Sequence, residues 1–173
     1  EAGRERYRNT MRVKREALDQ QWYQQYTSQF INASDESYFV AGLMIYLGEG
    51  EKTTSSRVNI ANTNSEIILL FIRWLERFFG APKGKLRFQL HLYEGMDISK
   101  EAGFWLSTLD ITKDQVYKYQ IRPLRESSFS YRESFRHGTC SVYLMNSQTK
   151  RKIMMAIRAF LDSYGHRVTI GGT

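Results

Sequence analysis

The chain has 173 residues, of which 42% are hydrophobic and 14% aromatic, enough to bury a core and to exclude a wholly disordered chain. Lysine and arginine total 25 against 18 aspartate and glutamate residues, a formal net charge of +7 that favours a polyanionic partner. Cys140 is the single cysteine of the sequence, which excludes an internal disulfide and a cysteine-rich zinc site.

The positive charge is concentrated towards the C-terminal end. Residues 111–173 carry 11 basic and 4 acidic side chains, so they account for the whole excess. Since no basic amphipathic helix stands out, nucleic acid is the expected partner rather than a membrane surface.

The longest apolar run, residues 39–47, is far shorter than the roughly 20 residues that span a bilayer. We therefore expect no membrane association and a cytoplasmic, reducing compartment.

The first thirty residues differ in composition from the rest of the chain. Residues 1–20 are rich in arginine, glutamate and glutamine and contain few apolar side chains, which predicts an exposed helix. Aromatic residues between Trp22 and Phe30 give this helix an end that is able to dock on the body of the protein. We therefore expect residues 1–30 to form a helical arm or connector and residues 31–173 to form one domain.

The domain is expected to begin with a buried helix. Ser34 or Asp35 can cap it, and residues 39–47 are apolar on every side, so this helix needs packing partners on two sides. Two strands, residues 51–54 and 57–62, are predicted to form a hairpin after it. The elements that follow are a capping box at residues 63–66 and a helix at residues 67–79.

The clearest strand signal comes next. In residues 85–93 apolar side chains alternate strictly with Arg87, Gln89, His91 and Tyr93, the pattern of a strand with one buried face. The remaining predicted elements are a helix capped by Asp97, a strand at 116–122, a polar loop at 123–137, a strand at 139–145 and a helix at 147–164. This order predicts an α+β domain with a one-sided antiparallel sheet.

Residues 42–50, with the sequence Gly-Leu-Met-Ile-Tyr-Leu-Gly-Glu-Gly, are followed by Glu51 and Lys52 and resemble the LAGLIDADG motif of homing endonucleases. The hairpin, the turn into an apolar helix and the alternating strand agree with this resemblance. It implies a LAGLIDADG-like αββαββα domain with a saddle-shaped antiparallel sheet, here with an extra helix and preceded by an N-terminal basic helix. The first aspartate of the family motif falls on Leu47, a position that affects packing more than metal binding.

In this family two motif helices pack side by side, and glycine allows their backbones to approach closely. The resemblance therefore implies a homodimer whose interface contains Gly42, Ile45, Tyr46 and Gly48. It also implies that Glu49 lies beside its symmetry mate, where paired carboxylates hold Mg²⁺ or another divalent cation. The catalytic residues that it implies are Glu49 and Lys52, with Lys52 stabilising the negative charge that develops in the reaction.

The predicted sheet has a polar face that suits DNA. Arginine, lysine and amide side chains can contact base edges in the major groove, and arginine also binds phosphate. The candidate DNA-binding residues on or beside the strands are Arg57, Asn59, Lys85, Arg87, Gln89, His91, Lys118, Gln120 and Arg122. The candidates in the polar loop are Arg125, Arg132 and Arg136. A solvated sheet face without a ligand is the alternative interpretation.

Taken with the resemblance, these residues favour a homodimeric, sequence-specific DNA-binding protein that hydrolyses phosphodiester bonds as a metal-dependent endonuclease. Two alternatives stay open: a transcription regulator that has the fold without the catalysis, and an RNA-binding splicing cofactor of the maturase type. The three histidines show no metal-ligand spacing with one another or with Cys140, which argues against a zinc site.

Overall fold

The structure is a computed structural model that describes residues 2–123 and 137–165. Its helices are α1 (Ala2–Ile31), α2 (Asp35–Glu49), α3 (Ser65–Phe79), α4 (Ile98–Leu109) and α5 (Ser147–Gly165). Its strands are β1 (Val58–Asn62), β2 (Arg87–Tyr93), β3 (Gln120–Arg122) and β4 (Thr139–Leu144). The chain divides into two compact units, Glu1–Tyr38 and Phe39–Thr173, and it has the α+β composition that the sequence predicts.

The first unit consists mainly of α1. Trp22, Tyr23, Tyr26 and Phe30 are all more than half exposed, as expected for a helix whose sequence is largely charged and polar. Ser34 caps the next helix, because its hydroxyl oxygen accepts a hydrogen bond from the backbone N–H of Ser37. The division of the chain into an arm of residues 1–30 and a domain of residues 31–173 stays a prediction.

The sheet of the second unit has the strand order β1-β4-β2-β3. Strand β4 runs antiparallel to both of its neighbours, whereas β3 runs parallel to β2. The prediction of an antiparallel sheet is therefore wrong at this edge, where the sheet is mixed. The reason is the connection: α4 lies between β2 and β3, and a strand–helix–strand crossover brings the second strand back in the direction of the first.

The predicted hairpin after α2 is formed only at one point. Gly50 pairs with Ile60 as an isolated bridge, and the backbone N–H of Glu51 donates to the carbonyl of Asn59 over 2.9 Å. Residues 51–54 form no strand, because the side chain of Glu51 turns back to bond the residues that follow it. The element order from α2 onward is therefore αβαβαββα, whereas the resemblance implies αββαββα with one extra helix.

The core lies on one face of the sheet, as the alternation in the sequence predicts. Phe88, Leu90 and Leu92 of β2 are fully buried, and the residues between them are only half buried. Helix α3 packs against β1 and β4, α5 packs against β1, and α4 packs against α3. The opposite face carries polar side chains, so the sheet separates an apolar core from a candidate binding surface.

Helix α2 joins this core through an aromatic cluster on α3. Trp74 is 0% exposed, and its ring centroid lies 5.4 Å from that of Phe71 and 4.9 Å from that of Phe79. Its indole Nε1–H donates a hydrogen bond of 3.0 Å to the carbonyl of Phe39 on α2. Gly42 faces the same indole, and a Cβ at this position would overlap the ring.

This close approach gives a testable result for the motif helix. Changing Gly42 to alanine should lower the free energy of unfolding by about 1–3 kcal/mol, because the added methyl group overpacks a filled site. Gly48→Ala on the same helix is the matched control, since no atom lies within 4 Å of its added Cβ. Urea unfolding of the two variants measures the difference, and equal midpoints would show that Gly42 does not limit the packing of α2 on Trp74.

Candidate nucleic-acid interface

The polar face of the sheet is assembled from neighbouring strands. The strand register places residues in four rows across it: Asn59–Tyr143–Arg87, Ala61–Ser141–Gln89, Thr139–His91–Gln120 and Tyr93–Arg122. Each row runs across the strands, perpendicular to the direction of the chain. We call this surface the polar sheet face. The DNA-binding residues predicted from sequence that lie on it are Asn59, Arg87, Gln89, His91, Gln120 and Arg122.

Hydrogen bonds to the backbone hold several of these side chains in place. The Nη1 atom of Arg87 donates to the carbonyls of Gly84 and Leu86, each over 2.9 Å. The amide nitrogen of Gln89 donates to the carbonyl of Lys118 over 3.0 Å. Because these bonds use only part of each donor set, both side chains keep hydrogen-bonding capacity for a ligand.

His91 is the central ionisable group of the polar sheet face. Its Nε2 atom lies 3.2 Å from the hydroxyl oxygen of Ser141. Burial lowers the pKa of this imidazole, and the positive charge of Arg122 lowers it further. His91 is therefore held neutral at physiological pH, which suits a hydrogen-bonding role better than a contact that needs a positive charge.

Two tyrosines enlarge this surface, and the sequence interpretation did not assign them. Tyr143 lies beneath the guanidinium of Arg57, whose central carbon is 5.3 Å from the ring centroid. The ring of Tyr117, a side chain that is 45% exposed, lies 6.0 Å from that of Tyr143. The alternation in β4 does indicate that Tyr143 lies on the polar side, because Cys140, Val142 and Leu144 point to the core.

The remaining candidates for DNA contact do not lie within the described strands. Lys85 belongs to a short 3₁₀ turn before β2, and Lys118 precedes β3 instead of lying within it. Arg57 comes directly before β1 and forms an ion pair of 3.1 Å with Glu51. Arg125, Arg132 and Arg136 lie outside the described residues.

The end of α2 carries the carboxylate that the resemblance implies as a metal ligand. Glu49 is the last residue of this helix and is exposed, as is Lys52 beyond it. Within residues 2–123 and 137–165, no group of three or more histidine, cysteine, aspartate or glutamate side chains is close enough to hold a metal ion. The described part of one copy of the chain therefore gathers no group of three such side chains at the end of α2.

The neighbouring carboxylate, that of Glu51, is held in place by hydrogen bonds. One of its oxygens accepts hydrogen bonds from the hydroxyls of Thr53 and Thr54 and from the backbone N–H of Thr54, and the other accepts from Arg57. These bonds, those from Thr54 and Thr53 first, lower the pKa of Glu51 to about 2. Glu51 thus closes the turn after α2, although no local pattern in the sequence distinguishes it from Glu49.

The four residues proposed for a dimer interface divide between two sides of α2. Gly42 and Tyr46 face the core, whereas Ile45 is half buried and Gly48 is exposed. The outward side also includes Ala41, Met44 and Leu47, so α2 has an apolar surface that the described residues leave partly uncovered. The homodimer stays a prediction, and in this structure the residues available to it are those on the outward side.

The hydrogen bonds of Glu51 predict an acid-dependent stability. Because folding lowers the pKa of this carboxylate, its contribution is fully present above the ordinary value of 4.5 and is lost as the pH falls towards about 2. The variant Glu51→Gln should therefore lose less stability than the native chain between these two values. Urea midpoints at several pH values measure this slope, and Glu94→Gln, an exposed site, is the control. Parallel profiles for all three proteins would contradict the assignment.

Comparisons with known proteins give no relative from which a function can be read. No family model matches the sequence, and neither the curated proteins nor the solved structures contain a significant match. In the described part of the chain, no helix is both long and apolar enough to cross a membrane.

Proposed function

We propose that this chain is a LAGLIDADG-like protein that binds duplex DNA through its polar sheet face. The observation that carries the proposal is the register of β1, β4, β2 and β3, which gathers Asn59, Arg87, Gln89, Gln120 and Arg122 on the side opposite the core. A positively charged chain with arginine and amide groups on one open surface is suited to a polyanion.

The residue types on this face fit both tasks of DNA recognition. Arginine can form paired hydrogen bonds with guanine, and asparagine or glutamine can do so with adenine. Arginines at the exposed edge, such as Arg122, can instead neutralise phosphates and fix the orientation of the duplex. Because these groups lie on strands instead of loops, their spacing is set by the sheet.

Cleavage is the second part of the proposal, and it requires two copies of the chain. Glu49 lies at the end of α2, and in the described residues it belongs to no group of three or more acidic, histidine or cysteine side chains that could hold a metal ion. Pairing of two α2 helices along their outward sides would bring two such carboxylates together. A divalent cation held there would supply charge stabilisation for hydrolysis of one phosphodiester in each strand. Without that pairing, we propose binding alone, as in a transcription regulator.

The salt dependence of duplex binding tests the main proposal. The double variant Arg87→Gln/Arg122→Gln should bind a random-sequence duplex more weakly. The slope of log affinity against log salt concentration should also become shallower, by up to about 0.9 for each phosphate that is no longer neutralised. The matched control is Arg73→Gln/Arg158→Gln, which removes the same charge from exposed positions on α3 and α5. If both double variants reduce the slope equally, binding depends on net charge alone, and the polar sheet face is not the binding site.

Structured RNA with unpaired bases is the alternative ligand that a specific observation favours. Tyr117 is partly exposed beside Tyr143, and exposed aromatic rings can stack on unpaired bases. Competition between a duplex and a structured RNA of equal charge separates the two ligands. Tyr117→Ala should reduce RNA binding strongly if bases stack there, and it should affect duplex binding little.

A further inference from the structure

A small cleft lies between the segment that follows α2 and the first turns of α5. It has a volume of about 230 Å³, and its polar lining consists of Lys52, Thr53, Ser55, Lys150 and Arg151. Two methionines of α5, Met154 and Met155, complete its wall. The lining therefore contains three cationic groups, two hydroxyl groups and no carboxylate.

Lys150 lines this cleft and is 3% exposed. Its Nζ atom donates to the hydroxyl oxygen of Tyr46 over 2.6 Å and also bonds the carbonyl of Glu51. The hydroxyl of Tyr46 in turn donates to the same carbonyl over 2.6 Å. These bonds fix the ammonium group in position, but both acceptors are uncharged, so they leave its positive charge unbalanced.

The nearest carboxylate does not balance this charge by direct contact. Both oxygens of Glu51 are occupied by Thr53, Thr54 and Arg57. Among the described residues, Lys150 forms no ion pair, and the same is true of Lys52 and Arg151. Burial lowers the pKa of Lys150, the negative charge of Glu51 opposes this effect, and the smaller repulsion from Lys52 adds to it. Like charges gathered around a cleft are costly unless an anion lies between them.

We propose that this cleft binds a phosphate group. Its volume is below the range of about 300–1,000 Å³ that is typical of pockets for drug-sized ligands, so a single tetrahedral oxyanion suits it better than a larger molecule. The guanidinium of Arg151 offers a planar pair of donors, Lys52 and Lys150 offer ammonium charge, and Thr53 and Ser55 offer hydroxyl donors. None of these residues belongs to the polar sheet face, although Lys52 is also the lysine that the resemblance implies in catalysis.

Two sources can supply this oxyanion: a diester in a nucleic-acid backbone, or a free phosphate or terminal monoester. Isothermal titration of the full chain with inorganic phosphate and, separately, with dimethyl phosphate distinguishes them. Both titrations are run at constant ionic strength with chloride as the competing anion, so that general charge screening does not differ between them. Tighter binding of dimethyl phosphate indicates the backbone, and tighter binding of inorganic phosphate indicates the free or terminal group.

The variant that tests the site is Lys52→Gln/Arg151→Gln, because both side chains are exposed and the change leaves buried Lys150 in place. Removal of two charge-assisted hydrogen bonds should weaken phosphate binding about tenfold or more. The control Lys100→Gln/Arg73→Gln removes the same charge from exposed positions on α4 and α3 and should bind phosphate as the native chain does.

Three results would overturn the proposal. The native chain could bind neither phosphate compound, the variant at the cleft could bind as tightly as the native chain, or the control could lose as much affinity as that variant. The last result would show attraction to net charge alone. Circular dichroism of each variant establishes that it is folded before its titration is interpreted.

Discussion

Changing Glu49 to glutamine should lower magnesium-dependent DNA cleavage by about two to three orders of magnitude, while duplex binding is retained or strengthened. The basis is the proposed pairing of two α2 helices, since a cation held between carboxylates supplies several kcal/mol and each 1.4 kcal/mol corresponds to about tenfold in rate. Glutamine keeps the shape and one acceptor oxygen but removes the charge. Repulsion between the paired carboxylates and the DNA phosphates also disappears, so binding does not suffer.

A nicking assay on a fragment library with magnesium or manganese measures this effect beside a binding assay on the same fragments. Glu36→Gln is the matched control, because it removes the same charge from an exposed position at the other end of α2. Cleavage should also depend on protein concentration, as two copies are required. If the native chain binds but never cuts, and Glu49→Gln binds equally well, Glu49 is only a helix-end residue and the regulator function stands.

Changing Trp74 to alanine should lower the free energy of unfolding by about 3–5 kcal/mol. The indole fills the space between α2 and α3, stacks on Phe71 and packs edge-on against Phe79, and its Nε1–H donates to the carbonyl of Phe39. Alanine leaves a cavity and removes this hydrogen bond. Trp74→Phe keeps most of the volume and should lose about 1 kcal/mol for the hydrogen bond alone.

A double-mutant cycle connects this loss to the motif helix. Gly42→Ala clashes with the indole in the native background, but in Trp74→Ala the same methyl group enters the cavity. The two changes together should therefore cost less than the sum of their separate effects. Additive losses would mean that Gly42 and Trp74 do not share this contact.

The two faces of the sheet could be predicted from sequence because apolar and polar residues alternate strictly. In β2, residues alternate between core and polar side without interruption, so the faces of Arg87, Gln89 and His91 follow from the period of two. The helix boundaries near Gly80 and Asp97 were also readable, because each cap has a local chemical cause. Local patterns of this kind act within a few residues, and the sequence displays them directly.

The features that escaped prediction depend on residues far apart in the chain. The direction of β3 is set by the α4 crossover, not by the three residues of the strand itself. Lys150 reads as one more basic residue at the start of a polar helix, and its burial arises only when α5 brings it against Tyr46. Glu51 was missed for a different reason: its partners Thr53 and Thr54 are local, but Glu51 and Glu49 look alike in sequence.

The position of β4 has a consequence for synthesis of the protein. Of the four described strands it comes last in the chain, yet it lies inside the sheet and pairs with both β1 and β2. A nascent chain that lacks residues 139–144 therefore holds two strands, each with an apolar face and an unpaired edge, the kind of surface on which chains associate with one another. The complete sheet can form only after that segment has been synthesised.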